Sequence, residues 1–407
     1  MEEIELSVMI HTPATAATMQ ALLDEFKAQH GIQVNLTCLD WVTARAELNK
    51  AALYHHGPDI SEVGSTWVPD LISMDVLSPL IPYEVGDSGN AAEYVPASWN
   101  TVQMPGEPLP KALPWHAETY VIHYRKDLLE KAGIDPLTAF RSHEAIDATA
   151  ATLAAKTDIP APVELTLQTD RYGTLHSLAS WVWANGGEFL SADSKHLLLN
   201  QPKALEAIQS YFALLKYATP EGRKAMLEKT DTPLFHQGLS AITFGTIRMA
   251  MPDWSQTTEA DSAAPVRDMK NWGWAPLPQP CFVGGSNLVV WKHSRNKRVA
   301  LKLLTFLTET KTLQRSSPAM ATLPPRISAL QSGVYTQDPM LKVMSEAIQN
   351  GRTYPPLKLW GLVEDKMVSG LLNIGLQVLS NPPEAVLEIV REEIANVCHR
   401  VELILSQ

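Results

Sequence analysis

Residues 114–134 constrain the fold most, because a strand passes straight into a helix that stops at Gly133. Tyr120, Ile122 and Tyr124 alternate as strand positions do. Leu128, Leu129 and Ala132 give the next turns an apolar face, and Asp127 can cap them. The stretch reads as a hinge crossing between two lobes. Trp115 and Tyr120 flank the polar His116 and Glu118, a mixture that suits a wet cleft better than a dry core.

A chain of 407 residues fits two lobes, since single cores stop growing at roughly 250–300 residues. The first part alternates strand and helix: strands at 4–10, 32–39 and 59–63, helices at 14–30, 43–54 and 68–74. This is the βαβ pattern of a sheet covered by helices. In such sheets ligands meet the loops after strand C-termini, which selects His11 and Thr12, Asp40 and Trp41, and Ser65, Thr66 and Trp67. Residues 142–259 read as mostly helical, with helices at 145–156, 172–185, 202–217 and 232–237 and a strand at 241–244. The polar loop at 252–264 carries a single aromatic, Trp254. An apolar strand at 284–291 is the second crossing, a third falls within 334–354, and helices at 363–378 and 383–405 close the chain. The expected lobes are residues 1–115 with 289–335, and 116–288 with 336–407.

The 114–134 stretch, with its proline, strand and Tyr-x-Lys-Asp-Leu helix, resembles the family 1 extracellular solute-binding proteins, receptors that deliver sugars and other small solutes to ATP-driven importers. The likeness recurs in order along nearly the whole chain: Gly57-Pro-Asp-Ile60 followed by 67–80, Trp183-Ala-Asn-Gly-Gly187, the segment from Leu234 to Gly245, Gly284-Gly-Ser286, Phe306-Leu-Thr-Glu-Thr310, Leu323-Pro-Pro-Arg326, and Tyr354 to Trp360. It implies an α/β, two-lobed, periplasmic-binding-protein-like fold of the class II type, each lobe a helix-flanked sheet, joined by a multi-segment hinge, with ligand captured by lobe closure. It also implies a permease of an ABC transporter as partner, a monomer, and a periplasmic or extracellular location. Residues 1–4 lack the basic start of a secretory signal, so a signal or lipid-anchor segment is expected to be missing from this chain.

With 33 basic against 44 acidic side chains the net charge is -11, which disfavours nucleic acid and anionic lipid as partners. Cys38, Cys281 and Cys398 are too scattered for a disulfide framework or a metal knuckle, and each is expected to be a small buried hydrophobe. His55-His56-x-x-Asp59 offers three metal ligands but fits a helix-to-strand turn. No dinucleotide fingerprint, Walker loop or His-Glu-x-x-His is present, so no cofactor and no catalytic residue is expected.

The tryptophans carry the ligand argument, because an indole stacks on the C–H face of a pyranose while nearby polar groups bind its hydroxyls. Trp41, Trp67, Trp115, Trp254 and Trp360 are expected at loops or element ends, whereas Trp99, Trp272, Trp274 and Trp291 look structural. At most one of Trp181 and Trp183 should reach a cleft, since residues two apart on a helix face different ways. His116, Glu118 and the pair Asp170-Arg171 could exchange hydrogen bonds with hydroxyls. The resemblance adds Trp360, as an aromatic stacking on sugar, and the Gly284-Gly285 pair, where absent side chains permit close backbone approach. Ser286, and Gly245 with Thr246 at the end of the Leu234 segment, complete the candidate set. The expected ligand is a neutral mono- or oligosaccharide. A cationic or quaternary-ammonium solute is the first rival, since aromatics with a carboxylate also make a cation cage. A carbohydrate-active enzyme and a cytoplasmic sensory domain are the others.

Overall fold

A computed structural model of the chain describes residues 2–10, 12–165, 167, 173–228, 232–250 and 269–406. These fall into two compact units. The first comprises Met1–Glu118, Val283–Gln349 and Thr353–Gly361; the second comprises Thr119–Phe282, Asn350–Arg352 and Leu362–Gln407.

The first unit is built on a five-stranded sheet. Its strands are β1 (Glu3–Met9), β2 (Gln33–Leu39), β3 (Ile60–Gly64), β4 (Ala112–Thr119) and β9 (Val283–Val290), in the order β2-β1-β3-β9-β4. β1 runs parallel to both β2 and β3, and β9 pairs antiparallel with β3. Connecting helices α1 (Pro13–His30), α2 (Trp41–Tyr54) and α3 (Val68–Ser73) follow the first three strands. Alternate strand residues face two separate cores. Ile4, Leu6, Val8, Leu288 and Val290 pack with Phe26 and Leu303 on one side, while Met9, Val63, Val289 and Trp291 pack with Leu48 and Leu71 on the other. β1 and the edge strand β2 nevertheless keep polar residues at alternate positions, Glu3, Glu5 and Ser7 in the one and Gln33, Asn35 and Thr37 in the other.

The second unit holds a four-stranded sheet of β5 (Val121–Arg125), β6 (Ala161–Glu164), β7 (Ser240–Gly245) and β8 (Trp272–Pro276), ordered β6-β7-β5-β8. β6 and β7 are parallel, and β5 is antiparallel to β7 and β8. Around it lie α4 (Lys126–Ala132), α5 (His143–Lys156), α6 (Gly173–Ala184) and α7 (Pro202–Ala213). In the remaining sequence α8 (Lys297–Thr308), α9 (Thr310–Ala319), α10 (Pro339–Gln349), α11 (Trp360–Ser380) and α12 (Val386–Leu405) follow. Helix α4 stops as expected at Gly133, whose φ of 71° is left-handed.

Several expectations give way. Asp127 lies inside the first turn of α4 and is not its cap; it is clamped by two hydrogen bonds from the Arg125 guanidinium at 2.9 and 2.6 Å, which hold its pKa down. Residues 232–237 form a bend and turns and no helix, with Gly238 after them, and the Glu164 carboxylate accepts the N–H groups of Leu234 and Phe235 at 2.8 and 2.9 Å. Cys38 is exposed on the edge strand β2, whereas Cys281 and Cys398 are buried. Residues 116–118, 283–288, 336–349 and 353–361 group with the first unit although the sequence reading put them in the second. The amphipathic face of α10, with Met340, Leu341, Met344 and Ile348, is buried there.

Candidate functional site

In the first unit the C-terminal ends of the parallel strands lie together, since β1, β2 and β3 are in parallel register. Two of the candidate polar groups there complete helices. The Thr12 hydroxyl accepts from the N–H of Thr15 at 3.2 Å in a capping box, and Asp40 caps α2 by accepting from the N–H of Val42 at 2.8 Å. Trp41 is partly exposed and meets the buried Trp67 edge-on at 5.3 Å. Gly64 lies so close under the Trp67 ring that a Cβ there would crowd it.

The turn after β3 is tied to β9 by a hydrogen bond from the N–H of Ser65 to the carbonyl of Gly285 at 2.9 Å. Gly285 has φ 122°, and a Cβ there would run into the His116 carbonyl of β4, so the chain needs glycine at this crossing of strands. Gly284 beside it is buried. The Ser286 hydroxyl donates to Glu62 at 2.6 Å, and Glu62 also accepts the N–H of Met9 at 2.7 Å. His116 is buried, with its Nδ1 3.0 Å from the Thr322 hydroxyl, while Glu118 is half-buried. Trp115 sits mid-strand in β4 and is 1% exposed within the apolar core. The expectation of a wet position there fails: a strand alternates faces, and Trp115 takes the one packed with Leu113, Leu288 and Val290.

Ser65, Thr66 and Trp360 are brought together by a pocket. Its other walls are Pro69, Thr101, Thr353, Tyr354, Pro355 and Pro356. One serine, three threonines, two aromatic residues and three prolines form this wall; no charged residue is among its described lining. Trp360 is 1% exposed and packs against Tyr354 at 4.7 Å with 34° between the rings. Its indole N–H has no hydrogen-bond partner among the described residues. Buried polar groups are ordinarily paired, and among the described residues the indole N–H of Trp115 in the apolar core is orphaned in the same way. Sequence reasoning reached Trp360 through its motif, and Tyr354 was within that motif without being singled out. Thr101 follows a one-turn helix, Pro96–Trp99, and nothing in its local sequence marks it.

Trp360 stands where α11 begins, and the chain entering it is pinned. The Asp70 carboxylate of α3 accepts the N–H of Leu359 at 2.7 Å, and the Arg45 guanidinium of α2 lies 3.5 Å from that carboxylate and donates to the carbonyl of Gly361 at 3.2 Å. Burial raises the Asp70 pKa above the usual carboxylate range, opposed by the Leu359 N–H and by Arg45. Leu359 has φ 65°, uncommon for a residue with a branched side chain.

In the second unit Gly245 ends β7, and its carbonyl accepts from His123 Nε2 at 3.2 Å. Trp274 Nε1 donates to His123 Nδ1 at 3.1 Å, which makes His123 the neutral Nε2–H tautomer. Burial pushes its pKa down to about 4, in agreement with that assignment. Thr246 is buried beside it, its hydroxyl accepting the N–H of Arg248 at 3.4 Å. Trp181 and Trp183 are both buried: Trp181 Nε1 donates to the Ser210 hydroxyl at 2.8 Å, and the Arg352 guanidinium lies 4.8 Å over Trp183. His11, Trp254, Asp170 and Arg171 lie outside the described residues. Among the described residues no cluster of three or more His, Cys, Asp or Glu could hold a metal ion, and no helix is long and apolar enough to cross a membrane.

Residues 21–343 match the family model described as bacterial extracellular solute-binding protein. The diacetylchitobiose binding protein DasA of Streptomyces coelicolor is 24% identical over 84% of this chain and 78% of its own length. Two solved structures share the fold. The sugar-binding protein MalE of Xanthomonas citri aligns over 100% of this chain and 99% of its own, with TM-score 0.78 and 20% identity. An ABC transporter solute-binding protein of Thermotoga lettingae, bound with α-D-tagatose, aligns over 98% of this chain and 100% of its own, with TM-score 0.74 and 18% identity.

Proposed function

We propose that this chain, which belongs to the bacterial extracellular solute-binding proteins, binds a neutral mono- or oligosaccharide and hands it to an ABC transporter without altering it. The observation that carries this reading is the pocket wall: Ser65, Thr66, Thr101 and Thr353 line it together with Tyr354 and Trp360, with no charged residue among its described lining. Serine and threonine side chains suit the hydroxyls of a sugar, and aromatic rings suit its C–H face. A cation would call for a carboxylate on that wall, so the amine alternative is less well supported. The sugars named for DasA and the Thermotoga protein point the same way. The working location is outside the cytoplasmic membrane, with monomeric protein meeting the permease.

The test is thermal unfolding against diacetylchitobiose, maltose, tagatose, amino acids and betaine, with product analysis of every hit. Ligand at 100 times its dissociation constant adds about 2.7 kcal/mol, a shift of a few degrees. A shift with intact sugar supports the proposal. Cleaved sugar would make the chain an enzyme, and a response to betaine alone would replace the ligand class.

A further inference from the structure

We propose that Arg45 and Asp70 are positioning residues for Trp360, gripping the backbone on both sides of it and so setting where its indole lies against the pocket. The inference rests on the reading that this pocket receives the ligand. Neither residue lines the pocket. The two also form an ion pair at 3.5 Å, with side chains each 21% exposed. What distinguishes them is the pair of backbone groups they hold. Asp70 takes the N–H of the residue before Trp360 at 2.7 Å, and Arg45 donates to the carbonyl of the residue after it at 3.2 Å.

Two further features agree. Leu359 adopts a left-handed φ of 65°, a conformation that persists only where its surroundings impose it, and the Asp70 hydrogen bond supplies such a constraint. A Cβ on Gly361 would overlap the Arg45 guanidinium, so a residue with no side chain is what lets the arginine reach across the start of α11. Arg45 and Asp70 sit on α2 and α3, the helices entered through Trp41 and Trp67, so the grip ties the loops after β2 and β3 to the strip 353–361.

The experiment uses full-length protein carrying 5-fluorotryptophan, with the Trp360 ¹⁹F resonance assigned by its loss in Trp360→Phe. Asp70→Asn, Arg45→Ala and Gly361→Ala are expected to move that resonance while leaving those of Trp181 and Trp183 unchanged. Gly361→Ala is expected to add nothing in the Arg45→Ala background, because the group it displaces is gone. An unmoved Trp360 resonance in folded variants, or additive effects of Gly361→Ala and Arg45→Ala, overturns the proposal. Should Asp70→Asn fail to fold, the other two substitutions carry the test. With diacetylchitobiose, or whichever sugar first raises the unfolding midpoint, the same variants are expected to bind about tenfold more weakly. Unchanged affinity despite a moved resonance also overturns it. If no sugar binds while the resonance still responds as expected, the sugar reading fails and the grip stands.

Discussion

Trp181 and Trp360 are equally buried, at 0% and 1% exposure, yet their indole N–H groups are treated differently. Trp181 donates to Ser210 at 2.8 Å, stacks on His143 at 4.3 Å and 7°, and meets Tyr211 edge-on at 5.5 Å. Among the described residues Trp360 has one aromatic neighbour, Tyr354, and a buried N–H without a partner, and it lines a pocket. Burial alone therefore does not separate the two, and an orphaned N–H is not by itself the mark of a ligand site, since Trp115 in the apolar core has one too; Trp360 differs in lining a pocket.

The largest test of that contrast is Trp181→Ala, expected to cost about 3–5 kcal/mol in urea unfolding by leaving a cavity between Tyr211 and Phe244. Trp360→Phe is expected to weaken sugar binding by about tenfold in calorimetry while costing less stability than Trp181→Phe, since it removes a donor that has no partner to lose. A stability loss at Trp360 equal to that at Trp181, with affinity intact, would collapse the distinction. Ser210→Ala gives Trp181 the orphaned N–H that Trp360 has, and about 1–2 kcal/mol should be lost without any change in affinity.

The smallest effect is a pH dependence confined to the second unit. Burial pushes the His143 pKa down to about 4, so as pH falls below its ordinary value of 6.5 the unfolded chain takes a proton that the folded one refuses. Stability there is lost on acidification, and His143→Gln should flatten the decline in unfolding midpoint between pH 7 and pH 5. Glu164 acts with opposite sign. Burial raises its pKa to about 7, so the folded state holds the extra proton and gains as pH falls toward the ordinary carboxylate value, and Glu164→Gln should steepen the same decline.

Local signals were legible where one element decides its own boundaries. The helix 14–30 ends at Gly31, left-handed at φ 69°, and the strand–helix passage through 121–132 stops at Gly133 as the residues suggest. What could not be read depends on partners distant in sequence. Glu164 captures the N–H groups of Leu234 and Phe235 across 70 residues, and the segment forms turns in place of the expected helix. The pocket draws its wall from residues near 65, 101 and 353, and a window of ten or twenty residues contains one of those at a time. Trp115 misled because β4 carries no clean polar and apolar alternation.

The strand order of the first unit governs the timing of its assembly. β9 ends at residue 290 and lies between β3 and β4, so β4 has no sheet neighbour until more than two thirds of the chain has been made. A ribosome exposes β1 to β4 long before the strand that joins them arrives, and closure of so long a loop delays the sheet. The growing chain is thus kept from a finished first unit by its own topology. The place of a single strand sets a built-in delay in the folding of the first unit.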